Sequence, residues 1–201
     1  MASTGTMSKT QVHPVNEVLR QSLKAGDTIA TREHTVGSAG VRFFAGQEAS
    51  HAILYLGSKL GSHWAVDAMP KDGVTRDRLH NKLNPSSYAV VFRHRKATPE
   101  QCARACQWAE LQAAVHKPYD YKSPVRVSSL KYSAVGQLVI LADEVEAWRS
   151  PEGEDASFMC SELVFRAFEI AGAPLTDKPA HIMSPASLFH TDKLKCMGRL
   201  I

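Results

Sequence analysis

The feature that most narrows the fold is a change of character at Thr98. Ahead of it, short apolar segments alternate with glycine-bearing turns; behind it, apolar residues recur at helical spacing. Gly26-Asp27 precedes Thr28-Ile29-Ala30-Thr31, a turn feeding a strand. Ser50-His51-Ala52-Ile53-Leu54-Tyr55-Leu56 is a compact apolar run closed by Gly57, and His63-Trp64-Ala65-Val66-Asp67-Ala68 follows a short polar turn, so the two predict a hairpin. Gly73 to Leu79 and Tyr88 to Arg93 add two strands, giving an antiparallel sheet of four or five strands across residues 26–95. Thr98-Pro99-Glu100-Gln101 then supplies an N-cap, a proline at the first helical position and a glutamine three after the cap. These signals predict a helix to about Val115.

Val135 to Trp148 reads as another helix, and Pro151 to Asp155 as a loop. In Cys160 to Gly172, Leu163, Val164, Ala167, Phe168 and Ala171 form one apolar face, with Gly172 and Pro174 as the stop. Residues 14–19 read as a short helical lead-in and 36–47 as a glycine-bearing loop at a cleft lip. The expected organisation is an N-terminal extension over 1–22 and one α+β domain over 23–201.

The chain has 201 residues, 44% hydrophobic and 22% charged, ordinary values that exclude disorder and fibrous repeats. A net charge of +4 with scattered basic residues gives no nucleic-acid footprint. Four cysteines do not make a disulfide scaffold, no Cys/His cluster has zinc spacing, and no cofactor is implied. Met1 to Ala25 lacks the apolar core of a secretory signal, and no run of about 18 apolar residues is present. These features predict a chain made in the cytosol without a transmembrane segment, exported if at all by another route.

Cys160 stands at the beginning of its helix, where unpaired backbone N–H groups and the helix dipole favour a thiolate and can stabilise an oxyanion. The alternative is a small hydrophobe in the core. Cys102 and Cys106, four apart on a small-residue helix face, read as core thiols without chemistry. A thiol nucleophile needs an imidazole, and His51, sharing a strand face with Ile53 and Tyr55, is a costly residue there unless partnered. A turn centred near Lys59 places Asp67 directly across from His51, able to fix its tautomer. A structural His–Asp bridge is the competing reading. The other histidines, His34, His63, His80, His94, His116, His181 and His190, read as surface residues.

Gly26-Asp27, Ser50 to Gly57, Val66-Asp67-Ala68, Tyr119-Asp120-Tyr121 and Cys160-Ser161-Glu162-Leu163-Val164 together resemble circularly permuted papain-fold hydrolases of the NlpC-like superfamily, especially the YiiX/YaeF-like group. The resemblance runs from about Gly26 to the C-terminus, with the histidine strand ahead of the cysteine helix. It implies a permuted papain-like fold, an antiparallel sheet or barrel packed against helices. It also implies Cys160 as nucleophile, His51 as base and Asp67 as third polar member, where some relatives use Glu. Tyr119, Tyr121, Ser50 and Ser161 would lie near the substrate cleft, and Ser184 to Leu188, which resembles the family's closing segment, would pack against the sheet.

The superfamily's chemistry implies a cysteine hydrolase cleaving amide bonds, first of all a peptidoglycan amidase or endopeptidase acting on stem peptides. Without a signal peptide, that activity suggests an antibacterial effector of the type VI kind, delivered to a target cell's periplasm and opposed by an immunity protein. A second reading is a thioesterase or acyltransferase on lipid or acylated substrates, as in the lecithin retinol acyltransferase group, drawing on Phe43, Phe44 and Trp64 for an apolar groove. A third is an inactive binding module.

Overall fold

A computed structural model describes residues 16–32, 49–83, 88–120 and 158–201. The expected loop over 36–47, the helix over 135–148, Tyr121, Phe43, Phe44 and His34 lie outside the described residues. The strands are β1 (Glu17–Val18), β2 (Thr28–Arg32), β3 (His51–Lys59), β4 (Ser62–Met69), β5 (Gly73–Arg78), β6 (Tyr88–His94) and β7 (Leu194–Leu200). The helices are α1 (Leu79–Lys82), α2 (Pro99–Ala114) and α3 (Cys160–Ile170). The architecture is mixed α+β around one seven-stranded sheet in the order β1-β7-β6-β2-β3-β4-β5.

The sheet is larger than the expected four or five strands because both ends of the chain join it. β7 pairs antiparallel with β6, and β1 pairs parallel with β7, Glu17 opposite Arg199. The expected helical lead-in is therefore strand at Glu17–Val18, followed by a single 3-10 turn at Arg20–Ser22. A buried Val18 anchors this strand, so the sheet recruits residues from the predicted N-terminal extension. Closing this edge requires glycine at 198: φ is +133°, and a Cβ there would lie 1.8 Å from the Asn16 carbonyl oxygen that accepts the Arg199 amide.

Central strands are buried on both faces, which explains why β3 begins as an unbroken apolar run. Even-numbered Ala30, Ala52, Leu54, Val66, Ala68, Val74, Val90 and Phe92 join one core with residues of α2 and α3. Odd-numbered Ile29, Ile53, Tyr55, Ala65, Ala89 and Val91 form a second core with Leu79 of α1. The β3–β4 turn is Leu60-Gly61, both at positive φ (51° and 73°), a two-residue hairpin turn later than the one expected near Lys59. Gly57 serves a β-bulge on β3 instead, and beyond it Leu54 faces Val66 and Tyr55 faces Ala65. Continuing that register sets Ile53, not His51, opposite Asp67; His51 lies on the diagonal. The displacement is even, so both residues keep one face.

α2 begins with the capping box: Thr98 Oγ1 accepts from Gln101 N at 3.2 Å, and Gln101 Oε1 accepts from Thr98 N at 2.9 Å. Its side chains also hold the end of α3, Gln101 Nε2 donating to Gly172 O at 2.7 Å and Arg104 Nη2 to Ala171 O at 2.9 Å. The segment Pro185–Phe189 is a 3-10 helix against β2 and β7, its Phe189 ring edge-on to Phe92 at 4.8 Å.

Candidate active site

An eleven-residue helix has little stability of its own, so the place of Cys160 is set by what α3 buries. Leu163, Val164, Phe165, Ala167 and Phe168 are all within the core, each large side chain contributing about 1.5–3 kcal/mol by burial. The start of α3 is fixed from three sides. Glu162 reaches back to accept the Met159 amide at 3.2 Å, and Ser161 Oγ donates to Met183 O at 2.7 Å. Just upstream, Phe158 N donates to Pro118 O at 3.0 Å, Asp120 N donates to Phe158 O at 3.1 Å, and the Phe158 ring meets Trp108 edge-on at 5.5 Å. Cys160, 3% exposed, is the first residue of the helix, and the first intrahelical bond is Leu163 N to Met159 O. The Cys160 and Ser161 amides therefore precede the helical ladder, at the positive end of the dipole.

His51 opens β3 and shares the odd-numbered sheet face with Asp67 of β4 and Thr75 of β5. Its Nε2 is 2.8 Å from Asp67 Oδ2, with both side chains buried. Cys160 lies near enough to bear on the protonation of the ring, and with Nε2 on Asp67 the ring nitrogen that remains is Nδ1. Burial disfavours the imidazolium, but the interactions of the ring with Cys160 and Asp67 outweigh it, raising the pKa from 6.5 to about 10. The surroundings of the ring thus favour its protonated form, paired with the Asp67 carboxylate.

Asp67 is 1% exposed and has a second cation. Lys82 Nζ donates to Asp67 Oδ1 at 2.6 Å and also to Thr75 Oγ1, the residue paired with Asp67 across β4 and β5. Burial favours the protonated acid, yet His51 and Lys82 together hold the Asp67 carboxyl below its ordinary 3.8. Lys82 was invisible in the sequence, a lone lysine in the polar stretch Arg78-Leu79-His80-Asn81-Lys82. Its burial follows from α1: Leu79 is inserted in the second core, and one helical turn later Lys82 falls on the same side.

Of the residues expected near a cleft, Tyr121 lies outside the described residues, and the other three are buried. Ser161 is fully buried on Met183, and Ser50 and Tyr119 are also buried, Tyr119 in an isolated parallel bridge with Phe158. Ser50 Oγ donates to Thr31 O at 3.3 Å. Trp64 sits at the hairpin end of β4, its ring covered by the Arg76 guanidinium at 4.0 Å. Gly26-Asp27 is structural: Asp27 takes Arg93 through both oxygens at 2.7 Å, and Gly26 packs against Cys102. Two histidines read as surface residues are tied into the fold. His63 Nδ1 is 2.7 Å from the Tyr55 hydroxyl, and His94 Nδ1 accepts the Lys96 and Ala97 amides while its ring stacks on Phe168. Cys106 is inert, its thiol pushed up to about 12 by burial.

No family model matches the sequence. Among curated proteins, the chain is 27% identical over 190 residues to "Probable lipoprotein peptidase YaeF" of Escherichia coli (strain K12), a match covering 88% of this chain and 66% of that protein, just under two thirds. Among solved structures, metalloprotein yiiX from Escherichia coli O157:H7 (DUF1105) superposes with a TM-score of 0.60 at 16% identity, covering 88% of this chain and 97% of yiiX. Among the described residues of this chain, no three His, Cys, Asp or Glu side chains form a group that could hold a metal ion, so the residues do not fit that part of the description of yiiX. Nor is any described helix long and apolar enough to cross a membrane. The chain thus has the fold of yiiX, and its sequence is similar to that of YaeF.

Proposed function

We propose that the chain is a cysteine hydrolase that cleaves amide bonds, on a permuted papain-like scaffold. The observation that carries this reading is the buried His51–Asp67 pair, at 2.8 Å, whose ring responds to Cys160 at the start of α3. The similarity to a protein named as a peptidase supports the same class. The Cys160 thiolate attacks the carbonyl carbon, and the amides ahead of the helical ladder stabilise the oxyanion. His51, already an imidazolium, gives its Nδ1 proton to the departing amine as the C–N bond breaks, leaving a thioester on Cys160. Neutral His51 then takes a proton from water, hydroxide equivalent adds to the thioester carbonyl, and the carboxylic acid leaves as Cys160 recovers the thiolate and His51 the proton. Asp67 keeps the ring in the tautomer and orientation that both steps require.

The substrate in this reading is a peptidoglycan stem peptide, and the setting an antibacterial effector of the type VI kind, neutralised in its producer by an immunity protein. Periplasmic but not cytosolic expression is then toxic, and Cys160→Ala removes the toxicity. The decisive experiment incubates wild-type and Cys160→Ala protein with purified sacculi and weighs the released muropeptides. Fragments differing by one hydrolysed amide, absent with Cys160→Ala, are expected. Intact sacculi alongside hydrolysis of an acyl thioester would instead mark a thioesterase.

A further inference from the structure

We propose that Lys82 is a positioning residue for this site, acting through Asp67 to hold the His51 ring against Cys160. The inference rests on the hydrolase reading above and adds a fourth member to the constellation. Its basis is the division of labour on one buried carboxylate: Oδ2 meets His51 Nε2 at 2.8 Å, and Oδ1 meets Lys82 Nζ at 2.6 Å.

A carboxylate held by one oxygen can rotate about its Cβ–Cγ bond and swing the other away; held by both, it presents Oδ2 in one direction. The Lys82 ammonium is itself fixed. Its side chain is 9% exposed, it donates to Thr75 Oγ1 as well, and it rises from a single helical turn pinned by Leu79, 1% exposed. The Thr75 hydroxyl stands 3.5 Å from Asp67 Oδ1, so carboxylate, ammonium and hydroxyl form a closed triangle on adjoining strands and α1. The charge of Lys82 bears on Asp67 together with that of His51. Lys82 Nζ bonds Asp67 and Thr75, so its influence on the ring is taken to pass through the carboxylate. A structural ion pair needs Lys82 and Asp67 alone; what marks this one is that the same carboxylate spends its other oxygen on His51, the base of the proposed reaction.

The test is the rate at which iodoacetamide alkylates Cys160, read by mass spectrometry of the Cys160 peptide in the intact folded chain. This readout needs no knowledge of the substrate. Lys82→Met should slow alkylation by about tenfold, the scale of coupling between groups in one buried network. In an Asp67→Asn background the same substitution should change the rate less than about twofold, because no carboxylate remains to be positioned. A wild-type rate in folded Lys82→Met, or an undiminished loss in the Asp67→Asn background, would overturn the proposal. Where Lys82→Met does not fold, Lys82→Gln, which keeps a neutral donor, is judged by the same two comparisons. His51→Ala separates the two levels of argument. If wild type is no faster than His51→Ala, the hydrolase reading fails and the role of Lys82 with it. If wild type is faster and the Lys82 variants match it, only the role of Lys82 falls.

Discussion

Replacing Asp67 by Asn removes the one anion shared by two buried cations, and its cost can be worked from the contacts. Asp67 accepts charge-assisted hydrogen bonds from His51 at 2.8 Å and Lys82 at 2.6 Å, each worth about 1.5–3 kcal/mol. The amide of Asn offers one acceptor oxygen and one donor nitrogen, so it satisfies one cation and faces the other with N–H groups. His51 relieves the conflict by shedding its proton, which recovers part of the loss. The net expectation is a destabilisation of about 3 kcal/mol at about pH 6, the low end for breaking a buried pair.

That pH is chosen by linkage. Asp67 titrates below 3.8 in the folded state, so its contribution is complete above that value and disappears as the pH falls through the lower folded-state value. The contribution of His51, whose pKa rises from 6.5 to about 10, is complete below 6.5 and is lost as the pH climbs through the folded value. Urea unfolding followed by circular dichroism at about pH 6 and in steps of falling pH below 3.8 should show the Asp67→Asn penalty large at first and shrinking as Asp67 protonates. A penalty under about 1 kcal/mol at pH 6 would refute the picture of a carboxylate clamped by two cations.

Other consequences follow from the same geometry. Wild-type stability should fall between pH 6.5 and about 10 as His51 loses its proton, while His51→Ala should be nearly level there; urea midpoints across that range decide it. Phe158→Ala removes a fully buried ring that meets Trp108 edge-on two residues before Cys160, and should cost about 3–5 kcal/mol by thermal or urea unfolding. Gly198→Ala forces a Cβ to within 1.8 Å of Asn16 O, so hydrogen exchange should show early loss of protection at Arg199, whose amide that oxygen accepts.

The helix starts were the most legible part of the sequence, because a capping box such as Thr98 to Gln101 is a local hydrogen-bond arrangement that needs no tertiary partner. The hairpin register was less so. Leu60, with a bulky side chain at positive φ, gives no sign of being a turn residue, and Gly57, which does, belongs to a bulge. His51 and Asp67 nonetheless share a face, since a displacement of two residues preserves parity. β7 was missed because Lys195, Cys196 and Arg199 interrupt its apolar pattern, and its pairing with β6 joins residues a hundred positions apart. Lys82 was hidden for a related reason: only the packing of Leu79 under the sheet turns an ordinary lysine toward Asp67.

Cysteine labelling within a single molecule tests most directly whether His51 activates Cys160. Cys160 is 3% exposed and Cys196 lies at the surface, so access alone would have a small electrophile modify Cys196 first. Under limiting iodoacetamide near neutral pH, Cys160 should instead react first, and His51→Ala should reverse the order. Preferential modification of Cys196 in the wild-type chain, unchanged by loss of His51, would contradict the assignment of Cys160 as an activated nucleophile.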